Sequence, residues 1–177
     1  MTTRHVMVTG GVRSGKSRYA ELLLADEPSV TYLAPGPNGD SDPEWAARIA
    51  AHRLRRPTSW TTVETADLTG ALRTADQPVM IDCLGTWLTA TIDGLGTWDA
   101  PLADWQDEFG RRLDEVVEAW RACPETAVAV TNEVGWGLVS EHRSGRVFTD
   151  LLGRVNQAVA AVSDEVILMV AGRALRL

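Results

Sequence analysis

A glycine-rich loop between an apolar strand and a helix constrains the fold of this chain more than any other feature. Val6 to Thr9 favours a β-strand, Gly10 is followed after four residues by Gly15-Lys16-Ser17, and Ser17 to Ala25 favours a helix. Glycines at this spacing let the backbone wrap around an anion, while the helix N-terminus and the lysine ammonium point at it and the serine hydroxyl faces Mg²⁺. The predicted phosphate-binding loop consists of Gly10, Gly11, Val12, Arg13, Ser14, Gly15, Lys16 and Ser17.

The choice of basic residues supports this interpretation. The chain carries 17 basic residues, and Lys16 is its only lysine. A compact ammonium group suits a point contact with phosphate, whereas the arginine guanidinium is planar and forms several hydrogen bonds at once. A single lysine at this position favours a phosphate contact over a plain glycine turn between a strand and a helix.

Charge and cysteine content narrow the class of protein. The net charge is −7 and the isoelectric point is near 4.9, which argues against general affinity for nucleic acid or anionic membranes. Cys83 and Cys123 are too few and too far apart for a disulfide scaffold or a cysteine-based zinc site, and we expect both to be buried as small apolar residues. No long apolar run precedes a cleavage site near the N-terminus. We therefore expect a cytoplasmic protein without a nucleic-acid partner or membrane insertion.

Short apolar strands alternate with helical segments along the chain. The predicted strands cover residues 6–9, 30–34, 60–64, 78–82, 126–131, 165–170 and, as an edge strand, 174–177. The predicted helices cover residues 17–25, 68–73, 102–120 and 148–162, with one more beginning at Ser41 or Asp42 and part of a helix near 86–92. This alternation predicts an α/β P-loop fold in one domain, residues 1–177, whose mostly parallel central sheet is covered by helices on both faces, with an antiparallel C-terminal edge strand as an option.

Turn-forming and polar residues follow several predicted strands. The Pro35 to Asp40 loop, Asp82 and the Asn132 to Gly137 loop all come at strand ends, and ligands of open parallel sheets bind at the carboxyl edge. Asp82 is a candidate partner of Ser17 in holding Mg²⁺, and its alternative role is to cap the following turn. Trp136, between two glycines, can present its ring to a ligand. Two further acids at strand ends are Glu64 and Glu133.

His52 has the most unusual surroundings of the three histidines. It comes at the end of the helix that follows the Pro35 to Asp40 loop, beside the apolar Trp45 and Ile49. A histidine on such a face is normally a packing residue. Four nearby arginines would instead bind a polyphosphate and favour a neutral, nucleophilic imidazole, so both interpretations stay open from the residues alone. These arginines are Arg48, Arg53, Arg55 and Arg56. His5, just before the first strand, is expected at the surface or at a strand edge. His142, in the loop after Trp136, is expected to be solvated, with a contact to substrate as the alternative.

Five segments share an order and spacing that together indicate one enzyme family. They are Gly-Gly-Val-Arg-Ser-Gly-Lys-Ser (10–17), Arg-Ile-Ala-Ala-His-Arg-Leu-Arg-Arg-Pro (48–57) with Trp60 and Glu64, Asp-Cys-Leu (82–84) with Trp87-Leu88-Thr89, Thr-Asn-Glu-Val-Gly-Trp-Gly-Leu-Val (131–139) and Gly-Arg-Val-Asn-Gln (153–157). Over nearly its whole length the chain resembles the adenosylcobinamide kinase / adenosylcobinamide-phosphate guanylyltransferase family. The resemblance implies a bifunctional enzyme of cobalamin biosynthesis.

In that family, the aminopropanol hydroxyl of adenosylcobinamide is phosphorylated with ATP or GTP. GMP is then transferred from GTP to the new phosphate, which gives adenosylcobinamide-GDP. The resemblance therefore implies a corrinoid substrate, GTP and ATP as nucleotide substrates, Mg²⁺ and a homotrimer. By position, His52 matches the histidine that becomes guanylylated, and Lys16 offsets developing charge. Besides the phosphate loop, the matching nucleotide-contacting positions are Pro35, Gly36, Pro37, Arg53, Leu54, Arg55, Arg56, Glu64 and Asp82.

The chain departs from the family pattern at a few positions. Pro35 replaces a common threonine, and Gly85 and Ala90 replace a threonine and an asparagine in the segment after Asp82. The phosphate loop and the histidine are intact. A P-loop kinase of another small metabolite is an alternative that gives His52 no role. A nucleotide-dependent binding module is a second alternative, and would consume no corrinoid.

Overall fold

The computed structural model describes residues 3–36, 50, 54 and 56–177. Seven strands are found in this part of the chain: β1 (His5–Gly10), β2 (Thr31–Ala34), β3 (Thr61–Glu64), β4 (Val79–Asp82), β5 (Ala127–Val130), β6 (Glu165–Val170) and β7 (Arg173–Arg176). The α-helices described there are α1 (Lys16–Leu23), α2 (Leu68–Arg73), α3 (Leu84–Leu95), α4 (Gln106–Ala122) and α5 (Arg143–Ala160), with a short 3-10 helix at Leu102–Asp104.

All seven strands form one sheet in the order β3-β2-β4-β5-β1-β6-β7. Every neighbouring pair is parallel except β6 and β7, which pair in the antiparallel sense. Ala127 of β5 pairs with His5 of β1 on one side and with Val79 of β4 on the other. The carboxyl ends of these three strands therefore lie side by side, and the predicted mostly parallel α/β fold with an antiparallel edge strand is confirmed.

Successive strand residues pack into two cores, one on each face of the sheet. Val8 of β1 and Met80 of β4 belong to the core that includes Ala20 of α1. Met7 and Ile81, one residue along each strand, belong to a larger core shared with α2, α3, α4 and α5. Because strand side chains alternate with a period of two, apolar residues at every position require cover on both faces.

The helix α4 contributes Trp120 to the larger core. The side chain of Trp120 is almost fully buried, and its indole N–H donates to the Ser163 hydroxyl over 3.1 Å. The ring of His5 lies 5.5 Å from the Trp120 ring, centroid to centroid, and its Nε2 is 3.2 Å from the Cys123 carbonyl oxygen. His5 is thus a packing residue at the start of β1. The predicted helix over 102–120 is divided here into the 3-10 turn and α4.

The segment after β4 is more helical than its sequence pattern predicted. A helix covers Leu84–Leu95 where only a partial helix over 86–92 was expected. Trp87, Leu88 and Ile92 lie on its buried face, so packing against the larger core outweighs the low helix propensity of its glycine and threonine residues. Similarly, α5 begins at Arg143 rather than at 148.

The two cysteines differ in their surroundings. Cys123 is buried, as expected, whereas Cys83 is only partly buried and caps α3. The backbone N–H of Cys83 donates to the Thr86 hydroxyl over 3.1 Å, and that hydroxyl donates to the Cys83 carbonyl over 2.8 Å. Burial, and then the neighbouring Asp82 carboxylate, raise the pKa of the Cys83 thiol. Cys83 therefore acts as a helix cap with a protonated thiol.

No helix in the described ranges is long and apolar enough to cross a membrane.

Two tryptophan substitutions test how the core stabilises the fold. Trp120→Ala is expected to lower the free energy of unfolding by about 3–5 kcal/mol, because it leaves a large cavity. Trp136→Ala makes the same chemical change at a side chain that is 70% exposed, and should change the free energy by less than about 0.5 kcal/mol. Denaturant titration measures both values. Equal losses for the two variants would contradict the assignment of Trp120 to the core.

Candidate functional site

The glycine loop leaves β1 in a conformation that only glycine adopts without strain. Gly10 has φ of 146° and Gly15 has φ of 97°, both in the region that disfavours side chains. A Cβ on Gly10 would also lie 2.4 Å from the Met169 carbonyl oxygen of β6. At the β6–β7 turn, the Gly172 N–H donates to the Ser14 carbonyl over 3.0 Å. The loop is therefore closed by its glycines and braced from outside by β6 and its turn.

Two polar side chains are buried inside this loop. Lys16 is 8% exposed, and its ammonium donates to the Gly11 carbonyl over 2.7 Å. Ser14 is also 8% exposed, and its hydroxyl has no hydrogen-bond partner among the described residues. A buried hydroxyl without a partner is costly, so an incoming acceptor such as a phosphate oxygen would satisfy it. Ser17 is half-buried, and Val12 and Arg13 are exposed on the outside of the loop.

Asp82 ends β4 and is oriented by a buried tyrosine. The Tyr32 hydroxyl, from β2, donates to Asp82 Oδ2 over 2.9 Å. Burial and the Asp82 charge raise the pKa of Tyr32 above its usual range, while Arg56 acts in the opposite direction. Tyr32 therefore keeps its proton and remains a donor. The Arg56 guanidinium lies 3.6 Å from the centre of the Tyr32 ring and donates to the Thr62 hydroxyl over 3.0 Å.

Tyr32 is a site residue that the sequence reasoning missed. It stands in an aliphatic strand, where an aromatic residue is normally part of the core. The parallel pairing of β2 with β4 brings its hydroxyl to Asp82. A tyrosine with a polar hydroxyl in a buried strand does indicate a hydrogen-bond partner. Which residue that partner is depends on the order of the strands.

A polar network holds the carboxyl end of β5 against the end of β1. The Glu133 N–H donates to the Gly10 carbonyl over 3.1 Å, and the Thr9 hydroxyl donates to Glu133 Oε1 over 2.6 Å. Asn156 of α5 donates to the same carboxylate oxygen over 3.4 Å and to the Asn132 carbonyl over 3.1 Å. The Thr131 hydroxyl donates to Asn156 Oδ1 over 2.6 Å. The sequence singled out Glu133, but gave no reason to connect it with Thr9 and Asn156.

The remaining sequence-predicted residues fall in different places. Pro35 is buried and Gly36 half-buried just after β2, Glu64 is exposed at the end of β3, and Leu54 is 87% exposed. The site residues that lie outside the described residues are Pro37, His52, Arg53 and Arg55. The carboxyl edge thus brings together the glycine loop, Asp82, Glu133 and the Pro35 turn.

No group of three or more histidine, cysteine, aspartate or glutamate side chains suited to a metal ion occurs in the described part of the chain. The polar groups at this edge are instead separate hydroxyl, carboxylate and ammonium groups around the glycine loop. Such an arrangement suits a ligand that itself carries phosphates and can complete a cation's coordination.

A solved structure supports the fold. The chain superposes on a prototypical ATPase from the type III secretion system of pathogenic bacteria with a TM-score of 0.61 and 12% sequence identity. The match covers 93% of this chain and 51% of that one, so the chain spans about half the length of the ATPase. At this identity the likeness shows the fold alone, a mostly parallel α/β sheet with helices on both faces.

Relatives found by sequence are much more similar to this chain than the ATPase is. The chain is 41% identical over 175 residues to the bifunctional adenosylcobalamin biosynthesis protein CobU of Salmonella typhimurium, covering 94% of this chain and 96% of the relative. It is 34% identical to the bifunctional adenosylcobalamin biosynthesis protein CobP of Pseudomonas aeruginosa, with 94% and 92% covered. Residues 6–177 match the family model for cobinamide kinase / cobinamide phosphate guanyltransferase. The chain therefore belongs to the cobinamide kinase / cobinamide phosphate guanyltransferase family.

Proposed function

We propose that this protein phosphorylates adenosylcobinamide with ATP or GTP and then transfers GMP from GTP to the resulting phosphate, which forms adenosylcobinamide-GDP. The observation that carries the proposal is the match of residues 6–177 to a family defined by these two reactions. The phosphate loop supports it, because a nucleotide is consumed in both steps. The reactions belong to the assembly of the cobalamin nucleotide loop.

Binding of the nucleotide phosphates is assigned to the loop from Gly10 to Ser17. Its backbone N–H groups and the N-terminus of α1 favour an anion. Lys16 would contact the terminal phosphates, and the Ser14 hydroxyl would donate to a phosphate oxygen. The contacts described above support both roles: the Lys16 ammonium is held at the Gly11 carbonyl, and the Ser14 hydroxyl has no partner in the part of the chain that the structure describes.

Guanylyl transfer is assigned to His52. A neutral imidazole nitrogen attacks the α-phosphorus of GTP, and pyrophosphate leaves. An oxygen of the corrinoid phosphate then attacks the same phosphorus, so that the P–N bond breaks, the imidazole leaves and GMP passes to the corrinoid. Lys16 and the arginines at 53, 55 and 56 would offset the charge that develops. Because His52 lies outside the described residues, its support is the match of sequence position. Leu54 and the loop from Pro35 to Pro37 are assigned to nucleotide contact on the same ground.

Magnesium is assigned to Ser17 and Asp82. Mg²⁺ prefers oxygen ligands and is usually held by one or two protein groups together with substrate phosphates. The Ser17 hydroxyl, in the first turn of α1, and the Asp82 carboxylate, at the carboxyl end of β4, fit that donor set. When bound, the ion would offset charge on the transferred phosphoryl group. Tyr32 would orient the Asp82 carboxylate for this role, and Glu64 is assigned to nucleotide contact.

A cytoplasmic location and a homotrimer complete the proposal. The family resemblance supports the trimer, and the free thiols of Cys83 and Cys123 fit a reducing compartment. Val170, Leu175 and Leu177 expose 53%, 56% and 71% of their surface at the β7 edge of the sheet. Apolar side chains grouped in this way are typical of surfaces where another chain packs.

The histidine assignment is tested with GTP labelled on its α-phosphate. After incubation with Mg²⁺ and denaturation, the wild-type protein should retain label with the acid lability and alkali stability of a phosphoramidate, because the bond joins phosphorus to nitrogen. His52→Asn should retain none. His142→Asn, which changes an exposed histidine, should label like the wild type. Label retained by His52→Asn would contradict the assignment of the guanylylated histidine to residue 52.

The role of Tyr32 is tested by titrating Mg²⁺ in the kinase reaction. Tyr32→Phe removes the donor to Asp82, so the Mg²⁺ concentration for half-maximal rate should rise about tenfold, as for other groups that orient metal ligands. Chelation of Mg²⁺ should stop the reaction in every variant. Tyr19→Phe, at the only other tyrosine, serves as the matched control and should not shift the titration. An unchanged Mg²⁺ requirement in Tyr32→Phe would show that Tyr32 has no influence on Mg²⁺ binding.

Contact with the corrinoid is tested at Trp136. This exposed ring follows Glu133 at the ligand edge, and an apolar face of its size suits a large planar macrocycle. Trp136→Ala is expected to raise the KM for adenosylcobinamide about tenfold, a loss of roughly 1.4 kcal/mol, and to leave the KM for GTP unchanged. Leu22→Ala, an exposed apolar truncation in the last turn of α1, should alter neither. A parallel rise in both KM values would argue against corrinoid contact.

A further inference from the structure

We propose that Glu133 is the general base of the kinase step, and accepts the proton of the corrinoid hydroxyl as that oxygen attacks the γ-phosphorus. This inference rests on the proposed function, and assigns a catalytic residue to its first reaction. It follows from where the Glu133 carboxylate is anchored and from how one of its two oxygens is occupied.

The anchoring places Glu133 at the terminal-phosphate end of the loop. A P-loop lysine reaches the β- and γ-phosphates, and the Lys16 ammonium lies 2.7 Å from the Gly11 carbonyl oxygen. The Glu133 N–H donates to the carbonyl of Gly10, the residue just before Gly11. Glu133 and the lysine ammonium are therefore both attached to the Gly10-Gly11 segment. A Cβ built on Gly11 would meet no atom of the described residues within 4 Å, so they leave open space beside this segment.

The order of strands gives Glu133 a central position. Strand β5 lies between β1, which leads into the phosphate loop, and β4, which ends at Asp82. Groups at the carboxyl end of β5 are therefore flanked by the loop on one side and by the proposed metal ligand on the other. An acceptor hydroxyl approaching the γ-phosphorus between these two elements meets the end of β5 first.

The polar network fixes one oxygen of the carboxylate and leaves the other available. Thr9 and Asn156, 2% and 8% exposed, both donate to Oε1. Asn156 is itself held by Thr131, which is fully buried. No residue in the described part of the chain donates to Oε2. An ionised carboxylate only accepts hydrogen bonds, so the oriented Oε2 is suited to take a proton from a hydroxyl.

The chemistry balances with Glu133 as the proton acceptor. The O–H bond of the corrinoid alcohol breaks and its proton moves to Oε2, while the alcohol oxygen forms a bond to the γ-phosphorus. The bond from the γ-phosphorus to the bridging oxygen breaks, and the nucleoside diphosphate leaves with that electron pair. Glu133 then returns the proton to water. In the second reaction the acceptor is a phosphate oxygen that is already ionised near neutral pH, so guanylyl transfer needs no such base.

The test compares the two reactions in Glu133→Gln. Glutamine preserves the shape and can still accept hydrogen bonds from Thr9 and Asn156, but it cannot take the proton. With adenosylcobinamide, ATP and Mg²⁺, kcat for phosphorylation should fall about 10²- to 10³-fold. With adenosylcobinamide phosphate, GTP and Mg²⁺, kcat for guanylyl transfer should stay within about threefold of wild type. Glu141→Gln, an exposed glutamate after the same strand, should leave both rates unchanged.

Each result decides between definite alternatives. Loss of phosphorylation with guanylyl transfer retained supports the base. Retained phosphorylation overturns it, and so does an equal fall in both reactions, which would mean a role in nucleotide or metal binding. A wild-type protein that does not phosphorylate adenosylcobinamide would instead overturn the proposed function, and this inference with it.

A second variant tests whether a loss of activity in Glu133→Gln could come from a folding defect instead. Glu133→Ala removes the carboxylate and leaves space for a small acid. Added formate should then restore part of the phosphorylation rate of this variant, and should not change its guanylyl transfer rate or either rate of the wild type. A Glu133→Ala protein that melts cooperatively and shows no response to formate would count against a proton-accepting role.

Discussion

The pairing of β5 between β1 and β4 is the constraint on which the site depends. Hydrogen bonding continues beyond the regular strand, because the Thr131 N–H donates to the Val8 carbonyl over 3.0 Å and the Glu133 N–H donates to the Gly10 carbonyl. The end of β5 is therefore attached to the first residue of the phosphate loop. A one-residue shift in the register of β5 would turn Thr131 and Glu133 away from their partners on β1 and α5.

Local features of the sequence were enough to predict the glycine loop between β1 and α1 and most of the fold. Glycine spacing, apolar strands and one amphipathic helix act over a few residues each, so their pattern is visible without knowing the tertiary structure. The segment from Leu84 to Leu95 was less predictable, because its helix depends on contacts with distant residues of the larger core. The same limit applies to Tyr32 and Asn156, whose partners Asp82 and Glu133 become neighbours only through strand order.

Arg56 joins two parts of the proposed site that are distant in sequence. It follows the segment that contains His52, and its guanidinium stacks on Tyr32, which holds Asp82. Stacking of a guanidinium on an aromatic ring is worth about 0.5–2 kcal/mol, more where water is excluded. A group proposed for phosphate contact and a group proposed for metal binding are thus connected through one buried tyrosine. The role of guanylylated histidine was assigned to His52 from sequence position alone, because motif spacing shows which residue matches but not which atoms surround it.

The β6–β7 hairpin combines a fixed turn with an unburied strand. None of the four residues of Arg173–Arg176 is buried, whereas Gly172 in the turn has φ of 76° and supports the phosphate loop through Ser14. A side chain at position 172 would therefore strain the turn that braces the loop. An evolutionary consequence is that residue 172 should tolerate substitution as poorly as the glycines of the loop between β1 and α1, although it is distant from them in sequence.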